Sequence, residues 1–459
     1  MNSVLSNRLP EIEINDNEPF VGDRLGRKQY ATALTNIVNA YSDTGCVLSI
    51  NGEWGTGKTT FVKMWQAYLK LQKYRTIYYN AWETDYIEDP IISLLGELKS
   101  IIGDDEKFRK VSSSIGQVLL SIGKSFVKNK AGIDIDDITS EISNQIDAYS
   151  QQKTSFDDFK KALVEYVADV DEEEKLPVIF IIDELDRCNP HFAVKVLERV
   201  KHLFDIPNIV FVLPISKKQF EYSIQGYYGS DKIDATNYLR RFIDLECELP
   251  TPDSESMCQL LYDHYHFDDF FKEKYDKGSH EARDGRDLFK SMVIKLCKYK
   301  RIELRTLDKI FVLCRIVATE IYEGEVAEMD LYFLLCHIKV CEYDFYCDIR
   351  QSKLKLQEIV NYVEKNFPKE LLAPKHQFSN DHHSFLFAIA TLLQIYNRKD
   401  CVLLEKDVLP SNSNSNMGLN CTIIDKKKLK EGLEYATTHF SKWSNINEIT
   451  DKIDLLRIR

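Results

Sequence analysis

Gly52-Glu53-Trp54-Gly55-Thr56-Gly57-Lys58-Thr59 fits the pattern G-x-x-x-x-G-K-[ST] without exception. Glycines let a backbone curl until successive N–H groups point inward at phosphate oxygens, and a helix that follows adds the positive end of its dipole. The stretch therefore reads as a phosphate cradle made by Gly52, Gly55, Thr56, Gly57, Lys58, Thr59 and Thr60. In such a cradle the lysine reaches the β and γ phosphates and the threonine hydroxyl binds Mg2+. A chance glycine turn of this pattern is expected in roughly one to two per cent of chains this long.

The flanks fit the same reading. Cys46-Val47-Leu48-Ser49-Ile50 is an apolar run bounded by glycines, and Phe61, Val62, Trp65, Tyr68 and Leu69 recur behind the cradle at helical spacing. Further strands are expected at 76–79, 178–182 and 209–213, each separated from the next by helix. The third is continuously β-branched and aromatic, as in a strand buried on both faces. This pattern predicts a doubly wound α/β domain with a parallel sheet. It runs from about residue 20 to 252, with a helical insertion at about 85–175 that ends in the acidic run Asp171-Glu172-Glu173-Glu174, a solvated loop. After Pro250 and Pro252 the sequence turns helical, and the expected organisation is an N-terminal extension at 1–19, a lid at 253–325 and a C-terminal region at 326–459. The polar tract 410–416 reads as a loop, and no internal repeat is found.

Composition bounds the rest. The chain has 459 residues, 44% hydrophobic and 29% charged, which suits a soluble protein of about two to four domains and excludes fibrous or low-complexity classes. Acidic residues exceed basic ones, 72 to 60, so a surface given over entirely to nucleic acid is excluded, though a local basic groove is not. The eleven cysteines include no C-x-x-C pair, and Cys336, His337, Cys341 and Cys347 match no common zinc spacing, so a cytoplasmic protein without a disulfide framework or resident zinc is expected. The acidic N-terminus is no signal peptide, and the apolar stretches 112–122 and 384–396 fall short of a bilayer span.

The chemistry of a bound triphosphate calls for an acid at the tip of a neighbouring strand, and Asp183 stands there. It would hold Mg2+, while Glu184 is placed to take a proton from an attacking water. Asp186 and Glu53 are the alternative bases, and the competing role for Glu184 is a surface or helix-capping carboxylate.

These residues resemble the KAP family of P-loop NTPases. Asp183-Glu184-Leu185-Asp186-Arg187-Cys188-Asn189-Pro190 resembles its strand-end signature and Tyr79-Asn80-Ala81-Trp82-Glu83 its second-strand motif. Tyr238-Leu239-Arg240-Arg241-Phe242-Ile243-Asp244, followed by Leu249-Pro250, is similar to a third. The resemblance covers roughly 20–310 and keeps the family's order. It implies a fold related to the AAA+ and STAND ATPases, an ATP-driven conformational switch, and an association with phage exclusion or defence in bacteria.

Carried to this chain, the resemblance implies an arginine finger at Arg240 or Arg241, acting on a neighbouring subunit's γ-phosphate or in cis. Against it stands a plain ion pair with Asp244 or Glu246. The segment Asp23-Arg24-Leu25-Gly26-Arg27 resembles the one that holds adenine in related ATPases, which adds Leu25 and Arg27 to the nucleotide contacts. Arg305, in Leu304-Arg305-Thr306-Leu307, is similar to the sensor-2 arginine of a helical lid; a solvated helix face is the competing reading. Ser216 stands where many relatives carry an Asp after the fourth strand, and the transmembrane helices many members carry between the second and acidic strands have no counterpart here. Val118, Leu119, Leu120 and Ile122 are expected to pack against the core or a partner rather than a membrane.

No Asn-Lys-x-Asp motif is present, so ATP is expected over GTP. Lys295, Lys298, Lys300, Arg301, Arg305 and Lys309, interleaved with Tyr299 and Phe311, are a possible nucleic-acid patch, but the exposed face of a packed helix is favoured. Three functions follow as expectations: an ATPase switch that assembles as a homo-oligomer through its nucleotide site and recruits an effector protein; a nucleic-acid motor or clamp; or a low-turnover assembly scaffold.

Overall fold

The computed structural model describes residues 13–87, 176–201, 206–278, 281–300, 302–321, 328–373, 384–396, 419–439 and 445–454, with a few single positions between them. The sequence features at 112–128, 171–174 and 410–416, and Arg301, lie outside the described residues. The chain divides at Thr251 into two compact units.

The first unit carries α1 (Lys28–Tyr41), β1 (Cys46–Asn51), α2 (Lys58–Leu71), β2 (Arg75–Asn80), β3 (Val178–Asp183), α3 (Pro190–Val200), β4 (Ile209–Ile215), α4 (Lys217–Tyr228), α5 (Ala235–Leu239) and β5 (Leu245–Glu248). Its five strands form one parallel sheet in the order β2-β3-β4-β1-β5. Side chains alternate between two apolar layers, as the period-2 geometry of strands requires. Val47, Phe180, Ile182, Phe211 and Leu213 pack with Ala193 and Val196 of α3 and Phe220 of α4. Leu48, Ile50, Ile179, Ile181, Val210 and Val212 face the other way, against Leu34 and Val38 of α1 and Phe61 and Trp65 of α2. Covering both faces explains why β3 and β4 are apolar at nearly every position. Each fully buried Val, Leu, Ile or Phe contributes about 1.5–3 kcal/mol.

The sheet parts at its C-terminal edge. Ladder pairs between β3 and β4 end at Ile181 and Val212, whereas β2 follows β3 to Asp183. Pro214 accounts for this. The carbonyl of its neighbour Ile215 accepts Gly52 N–H on the β1 side, so Pro214 faces β3 and has no N–H to extend that ladder. The β2–β3 ladder continues past that point, closed by Ala81 N–H donating to Asp183 O at 3.0 Å.

The fifth strand was not expected from the sequence. Leu245-Glu246-Cys247-Glu248 is short and alternates apolar with acidic residues, the composition of a sheet edge rather than of a buried strand. Glu246 pairs with Lys217 at 2.7 Å and Glu248 accepts from Asn51 Nδ2 at 2.8 Å.

The second unit is helical: α6 (Ser254–His264), α7 (Phe267–Asp276), α8 (Glu281–Lys300), α9 (Leu304–Thr319), α10 (Met329–Cys341), α11 (Tyr343–Arg350), α12 (Leu356–Asn366), α13 (Lys369–Leu372), α14 (Ser384–Tyr396), α15 (Lys426–His439) and α16 (Ile446–Ile453). Phe267, Phe289, Phe311 and Phe333 form an aromatic cluster with centroids 5.1–5.7 Å apart, so the stretches 253–325 and 326–459 share a core. At the crossing of α14 and α15 a Cβ on Gly432 would stand 2.9 Å from Phe387 Cδ1 and 3.0 Å from Ala390 Cβ, so only glycine permits that approach. Among the described residues no helix is long and apolar enough to cross a membrane.

Of the basic cluster, Phe311, Leu296, Leu307 and Ile310 are core residues, and Lys300 Nζ donates to Asn366 O at 2.7 Å. The apolar members are thus committed to packing, and Phe311 offers no surface for stacking a base. Among the described residues no cluster of three His, Cys, Asp or Glu side chains could hold a metal ion. His337 is buried beside Phe367, with neither ring nitrogen hydrogen-bonded.

Candidate functional site

The loop between β1 and α2 is shaped by Gly55 and Gly57, at φ 83° and 81°, values that L side chains with a Cβ rarely adopt. It is braced from outside the motif. Arg27 Nη1 donates to Gly57 O at 3.1 Å and Nη2 to Thr56 O at 2.5 Å. Burial lowers the Arg27 pKa to about 10, partly offset by Asp23. Asp23 caps the start of α1, accepting the N–H groups of Leu25, Arg27 and Lys28. The segment expected to hold adenine is therefore anchored to α1 and to the loop: Arg27 spends its terminal donors on loop carbonyls, and Leu25 is half-buried.

Lys58 opens α2 and is buried. Its Nζ donates to Gly52 O at 2.6 Å and Glu53 O at 3.3 Å and stands 3.6 Å from Asp186 Oδ2. Burial lowers its pKa, and Asp186 works against that shift. A buried ammonium held by carbonyls and one carboxylate is ready to meet a second anion. Thr59 and Thr60 follow in the first turn, both half-buried.

Across the parted edge, β3 ends at Asp183. Its Oδ2 accepts Tyr78 O–H at 2.9 Å and its Oδ1 accepts Glu184 N–H at 2.8 Å. Burial raises its pKa, while the hydrogen bonds from Tyr78, the Glu184 amide and Thr59 lower it. Glu184 occupies the left-handed region at φ 59°, ψ 22° without being glycine, a strain of about 1–3 kcal/mol typical of functional turns. The result is a contact between the two motifs: Thr59 Oγ1 donates to Glu184 Oε1 at 3.2 Å. Arg187 Nη1 reaches the same carboxylate oxygen at 2.9 Å.

Asp186 links three elements, and the sequence had marked it only as an alternative base. Its Oδ2 accepts Trp54 Nε1–H from the loop at 2.8 Å and Ser216 N–H from the end of β4 at 2.6 Å, beside Lys58. Tyr78, Trp54 and Arg187 were assigned no role from the sequence. The signal for Tyr78 was the alternation of β2, which turns it away from the buried Tyr79. Glu53 is exposed, with its carbonyl committed to Lys58 and Thr56.

The structure brings together Lys58, Thr59, Asp183 and Glu184, with Arg27 behind them. The fold commits Asp244 Oδ2 to Val47 N–H at 2.8 Å and Glu246 to Lys217, so the intramolecular ion pairs considered for Arg240 and Arg241 are not formed. Arg240 is exposed and donates to Asn237 Oδ1 at 3.1 Å. Arg241 is exposed, and among the described residues its guanidinium has no hydrogen-bond or ion-pair partner. Arg305 belongs to the second unit, exposed in the first turn of α9.

Hard oxygen ligands suit Mg2+, which is usually held by one or two carboxylates beside substrate phosphates. The Thr59 hydroxyl and the carboxylate of Asp183, whose charge is disfavoured by burial, are such a donor set.

Comparison with solved structures finds the ORC2 protein of Aeropyrum pernix in its ADPNP–ADP complexes, 14% identical, with a TM-score of 0.35 over 94% of this chain and 93% of that one. A DNA replication initiation factor is 13% identical, with a TM-score of 0.26 over 87% and 100%. No curated protein matches the chain. A family model described as the KAP family P-loop domain matches residues 27–361, from Arg27 behind the loop to α12 of the helical unit. That span takes in the cradle, both strand ends and the third motif, and the chain belongs to the KAP family of P-loop NTPases.

Proposed function

We propose that this protein binds ATP with Mg2+ and hydrolyses it, and that it uses the cycle as a conformational and oligomerisation switch. The observation that carries the reading is the 3.2 Å contact between Thr59 and Glu184, which unites the phosphate loop with the acidic strand end. Loop N–H groups and the N-terminus of α2 receive the phosphates, and Lys58 leaves its carbonyl partners for the β and γ oxygens. Thr59 and Asp183 would hold the Mg2+, which when bound offsets the charge that develops on the γ-phosphate. Glu184 orients the attacking water and accepts its proton.

Arg241, exposed and without a partner among the described residues, is the better finger of the pair, and it reaches a neighbouring copy's γ-phosphate. Arg305 is proposed as a lid contact and Leu25 as an apolar contact to the base. Family membership supports an effector protein as the switch's target and defence against phage as its setting. The committed apolar residues of α8 and α9 favour this reading over a nucleic-acid motor. The test is particle mass with and without ATP, together with Lys58→Ala. The switch requires an ATP-dependent change in mass that Lys58→Ala abolishes; an ATP-independent monomer with normal turnover refutes it.

A further inference from the structure

Glu184 is held by an arginine that is itself held by an exposed tryptophan. Two contacts to the Glu184 carboxylate converge on Oε1, a hydrogen bond from Thr59 Oγ1 at 3.2 Å and an ion pair with Arg187 Nη1 at 2.9 Å. Among the described residues Oε2 has no partner. Pinning one oxygen fixes the direction in which the other can accept a proton. The Arg187 guanidinium lies 5.7 Å from the centroid of the Trp82 ring, within the range of a cation–π contact. Trp82 stands on the turn after β2, 51% exposed, while the side chain of Glu184 is only 10% exposed. Asn80 secures that turn, accepting Trp82 N–H at 3.2 Å and donating to Glu83 Oε1 at 2.7 Å.

We propose that Arg187 is a positioning residue for Glu184, and that Trp82 fixes the rotamer of Arg187, so that the exposed indole governs how the carboxylate addresses the attacking water. The proposal rests on Glu184 acting as the base. An isolated i,i+3 pair on an exposed turn would contribute little, but this pair ends on a nearly buried carboxylate in a strained backbone. Lysine at 187 keeps the charge and loses both the planar stack and the fixed fork.

The test is hydrolysis and ATP affinity of the full chain for Arg187→Ala, Arg187→Lys, Trp82→Ala and Trp82→Phe, each repeated in Glu184→Gln under single-turnover conditions. Arg187→Ala should lower kcat about 10- to 100-fold with Kd for ATP unchanged. Trp82→Ala should lower it less, Trp82→Phe should restore it, and Arg187→Lys should fall between. In the Glu184→Gln background none of them should cost anything further. A merely structural ion pair would move the melting temperature and leave kcat alone, which overturns the proposal, as does an equal loss in the Glu184→Gln background. If Arg187→Ala does not fold, Arg187→Lys against Trp82→Phe decides, because only the former should lose rate. Wild-type turnover in Glu184→Gln removes the base reading itself; an inactive Glu184→Gln beside a fully active Arg187→Ala removes only this proposal.

Discussion

Asp186 accepts the indole N–H of Trp54 at 2.8 Å, and the same oxygen takes the backbone N–H of Ser216, so one carboxylate ties the phosphate loop, the acidic strand end and the end of β4 together. It also faces the buried ammonium of Lys58 at 3.6 Å. Asp186→Ala strands that charge and two donors. Removing one partner of a buried pair costs about 3–5 kcal/mol, so chemical denaturation should show a loss of that order, with Asp186→Asn milder. A change within 0.5 kcal/mol for Asp186→Ala would show that the three contacts are not coupled to folding.

Arg27 should matter for nucleotide affinity although it points at backbone. Arg27→Ala withdraws two donors from the half-buried carbonyls of Thr56 and Gly57; Gly57 O keeps the Phe61 N–H, and leaving Thr56 O unpaired costs about 1–3 kcal/mol. Expressed in binding, that is roughly a 5- to 150-fold rise in Kd for ATP. Titration with a fluorescent ATP analogue checks it, and Arg27→Lys, with one donor group instead of a fork, should recover only part.

Arg241→Ala should leave stability within about 0.5 kcal/mol, since among the described residues nothing holds that side chain. Hydrolysis should fall about 10³-fold if it is the finger. Adding the Lys58→Ala variant, whose own Arg241 is intact, should rescue Arg241→Ala when the finger acts between subunits. Failure of the mixture, with Arg241→Ala inactive, would place the finger in cis.

The helical unit carries an acid-sensitive group. Burial lowers the His337 pKa to about 4, and the nearby Lys300 adds to the shift. The unfolded chain, near 6.5, binds the proton first, so the contribution of His337 to stability is present above pH 6.5 and is lost as pH falls toward 4. The difference between wild type and His337→Phe isolates this group. Wild type should lose up to about 3 kcal/mol relative to the variant across that window. At pH 7 the variant should be no less stable, because it removes two buried nitrogens without partners. Parallel acid curves for the two proteins would contradict the assignment.

The phosphate cradle and four strands were legible because each rests on local chemistry: glycines with a lysine after an apolar run, and β-branched stretches long enough to be buried on both faces. Helical periodicity likewise marked α2 and α3. β5 was not legible, because four residues with two glutamates resemble a loop until an edge is there to receive them. Arg27 and Asp186 were visible as residues but not as braces, since their partners lie 29 and 132 residues away in the chain. Arg187 and Trp82 sat inside quoted motifs without a role, because their meeting depends on β2 and β3 being neighbours, a fact of sheet order.

Hydrolysis by Glu184 at this loop is decided by Glu184→Gln, with ATP retention and turnover measured on the same sample. The variant should keep ATP in the presence of Mg2+ and lose at least about 100-fold in kcat. Hydrolysis at the wild-type rate by Glu184→Gln would contradict it.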